Sequence, residues 1–257
     1  MTFKEWLLSS YDNPGINGQW GTRHILVLVL CIALIVAIPL LLKLAKNKDK
    51  ARKIVLWTLV GLIFAFELSR RIINFYKMTD FSLNNILYHS LPRPWCAISC
   101  WSLMIAALVN KKFFYNFASV TSLLCALIFF AYPSAGFNNQ YIEYENLYSI
   151  ATHSLLLVTS ITLITLKFTD FRYKTIWKEL ICLGVIFVYS LLEIYVLKIS
   201  DDPLYYLPGN EAHEILSVSY PIYLVLYIVF IIVYINAFYL ITDFKLVKEK
   251  LKAIKSK

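Results

Sequence analysis

The chain of 257 residues alternates between long apolar segments and short polar ones. A helix needs about 20 apolar residues to cross the roughly 30 Å hydrocarbon layer of a bilayer, and seven segments approach that length. The pattern therefore predicts an all-α polytopic membrane protein, a seven-transmembrane-helix bundle that forms a single domain over residues 1–257. The predicted helices lie near residues 24–42, 54–75, 90–109, 113–132, 147–166, 175–197 and 219–241.

The third predicted helix has an irregular start. The sequence LPRPW at residues 91–95 places two prolines and a charge where a regular helix should begin. Irregular backbone at membrane depth is tolerated where it contacts protein or lines a cavity. We therefore expect backbone groups freed by the prolines to face the interior of the bundle near Cys96.

Composition agrees with a membrane location. Hydrophobic residues make up 59% of the chain and charged residues 16%, and the mean hydropathy is +0.63. So few charged groups cannot cover the core of a soluble protein of this length. No segment outside the apolar runs is long enough to bury a core of its own. We expect a multi-pass protein of the cell membrane.

Positive charges are concentrated in alternate connections. Of the 25 Lys and Arg residues, 18 fall in the loop 43–53, the turn 111–112, the loop 167–178 and the tail from Lys245. Cytoplasmic loops carry an excess of Lys and Arg, so the C terminus is predicted to be cytoplasmic. Seven crossings then place the N terminus outside.

The net charge of +9 is spread over these loops and the tail, without a folded basic domain that would suggest nucleic acid. Anionic lipid headgroups are the expected partner, because each Lys or Arg beside the membrane contributes on the order of 1 kcal/mol there. Two interpretations stay open: a plain topological bias, and a regulated lipid-binding tail.

Four polar residues inside the apolar runs lie near the same side of the membrane. A rise of about 1.5 Å per residue places Glu67, Cys96, His153 and Glu193 roughly 7 to 12 Å below the outer surface. Burying an ionisable group at this depth costs a few kcal/mol or more, which selects for groups that pair, face water or act on a substrate. The sequence therefore predicts a site in the outer half of the membrane, where His24 also opens the first helix.

Glu67 has possible partners on its own helix, because Arg70 and Arg71 follow it by three and four residues. A structural ion pair is one interpretation. In the other, an arginine binds a substrate carboxylate or phosphate with planar, bidentate geometry while Glu67 orients it. The predicted substrate-binding set also includes His24 and Arg93.

His153 follows the hydroxyl-rich sequence YSIAT at residues 148–152. A neutral imidazole there can be a general base, a proton relay or a hydrogen-bonded packing residue. Glu193 has no basic residue within one turn toward the membrane core, so it needs a partner on another helix. His153 is a candidate for that partner.

The five cysteines are expected to be free thiols, since all lie in apolar segments and their odd number gives no disulfide framework. Cys96 and Cys100 share one helical face, but two ligands are weak support for a metal site. We therefore assign no metal and no cofactor. Neither a P-loop nor a Rossmann glycine pattern occurs in the sequence.

Short motifs along most of the chain resemble those of a known membrane-protein family. The carriers are GTRH at residues 21–24, Glu67, LPRPWCAIS at residues 91–99, His153, and YYLP at residues 205–208. These motifs are similar to those of bacterial integral membrane proteins of the YwaF or TP0381 type, which are related to the eukaryotic transmembrane protein 164. The chain has Arg93-Pro94 where the family's motif usually has a histidine.

The eukaryotic relative looks like a cysteine-dependent lipid acyltransferase. The resemblance implies that a thiol near the third helix carries an acyl group between lipids, and Cys96 is the candidate. Such chemistry needs a thiolate, a base and donors for the oxyanion. Cys96, His153 and Glu193 can fill the roles of nucleophile, base and orienting group if predicted helices three, five and six pack together.

Two other classes remain open at this point. The protein can be a carrier or binding protein whose outer vestibule accepts a small polar or lipid ligand without catalysis, since broken helix ends also serve that purpose. It can also be a structural membrane subunit with paired charges and no chemistry. Replacing Cys96 by Ser separates the classes, because acyl transfer requires the sulfur whereas binding does not.

Overall fold

The computed structural model describes residues 2–8, 18, 20–132, 134–137, 141–199 and 202–243, together with residues 248, 251, 252 and 254. The described residues contain helices and no strand, which confirms the all-α prediction. They divide into two compact units, Met1–Thr169 and Asp170–Lys257. The single domain over residues 1–257 remains a prediction.

The regular secondary structure in the described part of the first unit is helical. Its helices are α1 Phe3–Leu8, α2 Thr22–Leu44, α3 Lys48–Lys77, α4 Leu83–Ser90, α5 Trp95–Val109, α6 Lys112–Ala131, α7 Ser134–Phe137 and α8 Tyr144–Thr165.

The second unit begins with a short 3-10 turn and also contains a π-helical turn. Its elements are the 3-10 turn Tyr173–Thr175, α9 Ile176–Leu191, the π turn Leu192–Val196, α10 Glu211–Leu216 and α11 Tyr220–Thr242.

Local sequence sets several of these helix ends. Asn47 precedes α3 and its side chain accepts a hydrogen bond from the amide of Lys50, 3.0 Å away. Glu143 and Asn146 form a reciprocal capping box at the start of α8. Asn110 ends α5 in the left-handed conformation, with φ at 52°. These caps satisfy backbone groups that a helix end leaves unpaired.

The connection between α4 and α5 is the strongest irregularity of the first unit. Residues 91–94, called the elbow below, join two helices whose axes differ by 62°. The third predicted helix, near 90–109, therefore begins later than expected, at Trp95. The reason is that Pro92 and Pro94 have no N–H to continue a helical ladder.

The core of the first unit lies where α5, α6 and α8 pack against one another, with α3 against α5 and α8. Small and hydroxyl side chains allow close approach of these helices. The hydroxyl of Ser160 in α8 donates to the carbonyl oxygen of Ser119 in α6 at 2.7 Å. In α6 and α8, 72% and 61% of the apolar stretch is buried, whereas in α2 only 6% is buried.

Five described helical segments are long and apolar enough to cross a membrane: α2, α6, α8, Tyr173–Val196 and α11. The bent pair α4 and α5 makes six if it is one broken span. The second predicted helix, 54–75, lies within α3, which is 30 residues long. Because α3 carries Glu67, Arg70 and Arg71, it is less apolar than the others. The structure thus shows a multi-pass, all-α membrane protein, and the count of seven stays a prediction.

Candidate active site

Three side chains from three helices meet in the first unit. Cys96 in α5, Cys125 in α6 and His153 in α8 place two sulfur atoms and an imidazole nitrogen within 4.8 Å of one another. Cys125 is buried, whereas Cys96 and His153 are half-buried. The mutual packing of α5, α6 and α8 brings these residues together. We call them the Cys96 cluster.

The imidazole of His153 is held in one orientation. Its Nδ1 lies 2.7 Å from the carbonyl oxygen of Ser149, and its ring stacks on Phe129 with centroids 4.0 Å apart. A carbonyl oxygen only accepts hydrogen bonds, so Nδ1 carries a proton, and in the neutral imidazole Nε2 keeps its lone pair. His153 can therefore accept a proton or bind a cation through Nε2.

Cys96 lies in the first turn of α5. The amides of Ala97 and Ile98 donate to the carbonyl oxygen of Pro94 at 2.9 and 3.2 Å. Helix geometry leaves the amides of Trp95 and Cys96 without an intrahelical acceptor. The positive end of the helix dipole therefore lies beside the Cys96 sulfur, where it stabilises negative charge.

A second polar group surrounds Glu67 on α3. One of its carboxylate oxygens accepts from Arg71 at 2.6 Å and from Arg70 at 3.3 Å. The other accepts from the hydroxyl of Tyr148 in α8 at 2.9 Å. Glu67 is 1% exposed, so these donors replace the water that a buried carboxylate loses. We call these four residues the Glu67 network.

Arg71 connects this network to the elbow. Its guanidinium donates to the carbonyl oxygens of His89 at 2.8 Å, Leu91 at 3.2 Å and Ser90. These carbonyls belong to the end of α4 and the elbow, where the helical ladder stops and leaves acceptors unpaired. The carbonyls freed before Pro92 are therefore already held by Arg71. They accept hydrogen bonds and cannot stabilise an oxyanion.

Arg70 is less completely used by the protein. Its Nη2 lies 3.4 Å from the carbonyl oxygen of Arg93, and its guanidinium carbon lies 5.3 Å from the ring centroid of Tyr148. The Nε of each arginine of the network has no hydrogen-bond partner among the described residues, but the side chain of Arg70 is 24% exposed and that of Arg71 only 8%. Arg70 is thus the arginine of the network best suited to an anionic ligand.

The model of the TMEM164 family matches residues 19–241, which is most of the chain and includes every residue of both polar groups. The chain belongs to the TMEM164 family. No curated protein and no solved structure matches it significantly. The motif resemblance to transmembrane protein 164 is therefore confirmed at the level of the family.

The remaining two residues of the predicted substrate-binding set of this TMEM164-family chain are His24 and Arg93. His24 is fully buried among Trp20, Phe130 and Phe137, with ring centroids 4.8 to 5.9 Å away. Neither of its ring nitrogens has a hydrogen-bond partner in the described part of the chain. Arg93 donates to the carbonyl oxygen of Tyr88 at 3.2 Å and stacks over its ring at 3.5 Å.

Glu193 lies in the second unit, fully buried in the π turn. Its pairing with His153 and its role as an orienting group stay predictions. In the first unit the carbonyl oxygen of Ser149 already occupies Nδ1 of His153, which is the atom that an orienting carboxylate would bind. The fixed tautomer of His153 therefore does not require Glu193.

Sequence reasoning in this TMEM164-family protein missed two residues. Cys125 gave no signal, because its contact with Cys96 and His153 depends on how three helices pack. Glu179 is 1% exposed in the first turn of α9, and Tyr239 of α11 donates to it at 2.7 Å. An acidic residue at the edge of a long apolar run was the available signal for Glu179.

Proposed function

We propose that this protein is a lipid acyltransferase that carries the acyl chain on Cys96. The observation that supports this best is the Cys96 cluster, in which an imidazole of fixed tautomer lies beside a thiol at a helix start. A thiol becomes a nucleophile when a neighbouring base removes its proton. The proposed substrates are membrane phospholipids, whose ester groups lie at about the predicted depth of the cluster.

The reaction proceeds in two transfers. Nε2 of His153 accepts the thiol proton, and the Cys96 sulfur attacks the ester carbonyl of the donor lipid. The carbon–oxygen bond breaks, the departing lysolipid oxygen takes the proton from His153, and a thioester remains on Cys96. The hydroxyl of an acceptor lipid then attacks the thioester while His153 accepts its proton. Return of that proton to the departing sulfur restores the thiol.

The start of α5 and the arginines of α3 support this reaction. The amides of Trp95 and Cys96 are available as donors to the oxyanion, and the α5 helix dipole favours the thiolate. Arg70 binds the lipid phosphate through its planar guanidinium. Within the Glu67 network, Arg71 holds the elbow and so positions the first turn of α5.

A binding or carrier protein without catalysis is the second candidate. Among the described residues, both ring nitrogens of His24 and the Nε of Arg70 are buried without a hydrogen-bond partner. These atoms favour a binding function. Buried polar atoms without partners cost about 1 to 3 kcal/mol each, and a bound polar ligand would remove that cost. This function needs no reactive sulfur.

The proposed topology has seven crossings, with α3 as one of them and the pair α4 and α5 as another. The N terminus is then outside and the C terminus is in the cytoplasm of a cell whose plasma membrane holds the protein. The basic start of α3 supports an inner membrane surface with anionic lipids, because a depression there is lined by Asn47, Asp49, Lys50, Lys53, Ile54 and Trp57. Lys can contact phosphate there while Trp lies at the headgroup level.

The test is covalent trapping of the acyl-enzyme. Purified protein in lipid vesicles is treated with a lipid-like thioester acyl donor, and mass spectrometry locates the adduct. We expect an adduct on Cys96, its loss in Cys96→Ser, and its persistence in Cys100→Ser, a matched thiol one helical turn away. Absence of any Cys96 adduct would reject acyl transfer and favour the binding function, provided that thermal unfolding shows the tested protein to be folded.

A further inference from the structure

Cys125 has no task in the proposed reaction. Its sulfur nevertheless lies within 4.8 Å of the ligand atoms of both Cys96 and His153. A single buried thiol is usually a small apolar side chain, but here it completes a set of three soft donors from three different helices. We infer that Cys96, Cys125 and His153 bind a soft divalent cation of the Zn²⁺ type, and that the bound cation blocks acyl transfer by occupying the nucleophile.

The distances fit such a site with little rearrangement. Zinc–sulfur bonds of about 2.3 Å and zinc–nitrogen bonds of about 2.0 Å place tetrahedral ligand atoms about 3.5 to 3.8 Å apart. The described ligand atoms lie within 4.8 Å of one another, so each pair needs to close by no more than about 1.3 Å relative to those tetrahedral distances. Side-chain rotation can supply that movement. Three protein ligands leave a fourth position for water or for a lipid oxygen.

The donor types select the ion. Two thiolates and an imidazole suit Zn²⁺ and other soft cations, whereas Mg²⁺ and Ca²⁺ require oxygen ligands. Two thiolates also cancel the charge of one divalent cation. The complex with Cys96, Cys125 and neutral His153 is therefore uncharged as a whole, which suits a buried position in which a net charge would be costly.

The second nitrogen of His153 supports the same inference. Histidines that bind metals usually donate their other ring N–H to a carbonyl or carboxylate, which fixes the ring and its tautomer. His153 has this arrangement, because Nδ1 lies 2.7 Å from the carbonyl oxygen of Ser149. Nε2 is therefore the nitrogen with a lone pair for the cation.

Cation binding and acyl transfer compete for the same atoms. The cation displaces the thiol protons of Cys96 and Cys125, so two protons are released for each cation bound, and no electron is transferred. It also takes the lone pair of His153, which removes the base. The inhibitory effect rests on the proposed function, whereas cation binding itself does not.

Cobalt(II) provides a direct readout of the site. Protein kept reduced with a phosphine is titrated with Co²⁺, and sulfur-to-cobalt charge-transfer absorption is recorded. We expect an absorption that Zn²⁺ abolishes, with about half its intensity and at least tenfold weaker binding in Cys125→Ser. Cys100→Ser is the matched control and should behave as the wild type. Proton release on adding Zn²⁺ should fall from two to one in Cys125→Ser.

The acyl-donor reaction supplies the second measurement, as the ratio of Cys96 labelling with and without Zn²⁺. We expect Zn²⁺ to suppress wild-type labelling at least tenfold, a chelator to restore it, and Cys125→Ser to reduce that suppression. Absence of the charge-transfer band, or an equal band in Cys125→Ser, would overturn the cation site. A normal band without any Cys96 adduct would retain the cation site and reject the proposed function. If Cys125→Ser fails to fold, Cys125→Ala supplies the same comparison.

Discussion

The Glu67 network and the Cys96 cluster both lie in the first unit, but they use their polar atoms differently. Both carboxylate oxygens of Glu67 accept hydrogen bonds, and Arg71 donates to the end of α4 and to the elbow. The Cys96 cluster instead combines two thiols with an imidazole whose Nε2 retains a lone pair. A charge at membrane depth is therefore not by itself a functional site. The group with a nucleophile and a base is the Cys96 cluster.

The largest expected effect is on the chemical side of this comparison. Replacing His153 by Gln removes the base, and we expect the rate of Cys96 acylation to fall by about 10² to 10⁴-fold. The measurement is the time course of adduct formation at a saturating concentration of acyl donor. The unfolding temperature of the same variant serves as the control. A rate within threefold of wild type would exclude His153 as the base.

On the structural side, we expect Glu67→Gln to destabilise the protein by about 3 to 5 kcal/mol, because it leaves the buried guanidinium of Arg71 without its counter-charge. Denaturant unfolding in detergent measures this change. The control is Glu145→Gln, since Glu145 pairs with Lys77 at 3.1 Å with both side chains about a quarter exposed. That change should cost at most about 1 kcal/mol. Equal losses of stability in the two variants would contradict a stabilising role for the buried carboxylate of Glu67.

The smallest effects separate the two arginines. Arg71→Lys keeps the charge but loses the planar fork that holds the elbow, and we expect a stability loss of about 1 to 3 kcal/mol.

Arg70→Lys should change stability by less than about 1 kcal/mol, since its contacts are longer. It should raise the half-saturating concentration of a phosphate-bearing acyl donor about tenfold with little change in maximal rate. If Arg70→Lys instead caused the larger stability loss and Arg71→Lys the larger change in half-saturating concentration, Arg70 would hold the elbow and Arg71 would bind the phosphate.

Much of the fold could be predicted because the bilayer fixes the length of an apolar helix. The predicted helix 113–132 corresponds to α6 Lys112–Ala131, and the predicted 219–241 to α11 Tyr220–Thr242. The start of α5 was displaced because the sequence does not tell where a chain containing two prolines resumes helical hydrogen bonding. The count of crossings depends on α3, whose charged residues lower its apolar character.

The candidate site was only partly predictable. The pairing of Glu67 with Arg71 follows from their spacing of four residues, and the structure contains it at 2.6 Å. The family resemblance implied a role for Cys96, and the sequence allowed it to meet His153 only on the condition that their helices pack together. Cys125 was not expected in the cluster, and the reach of Arg71 to the elbow carbonyls was not expected either. Both depend on contacts between helices, which no spacing along one helix encodes.

The charges of α3 also have a consequence for how the protein enters the membrane. Arg71 contacts carbonyls 18 to 20 residues later in the chain, and Glu67 contacts a hydroxyl 81 residues later. In the proposed topology, α3 therefore leaves the ribosome before most of its partners have been synthesised. Each charged residue at the centre of a membrane helix opposes insertion by about 2.5 to 3.5 kcal/mol. Glu67 and Arg71 lie on the same face of α3, so they can neutralise each other's charge as soon as this helix has formed.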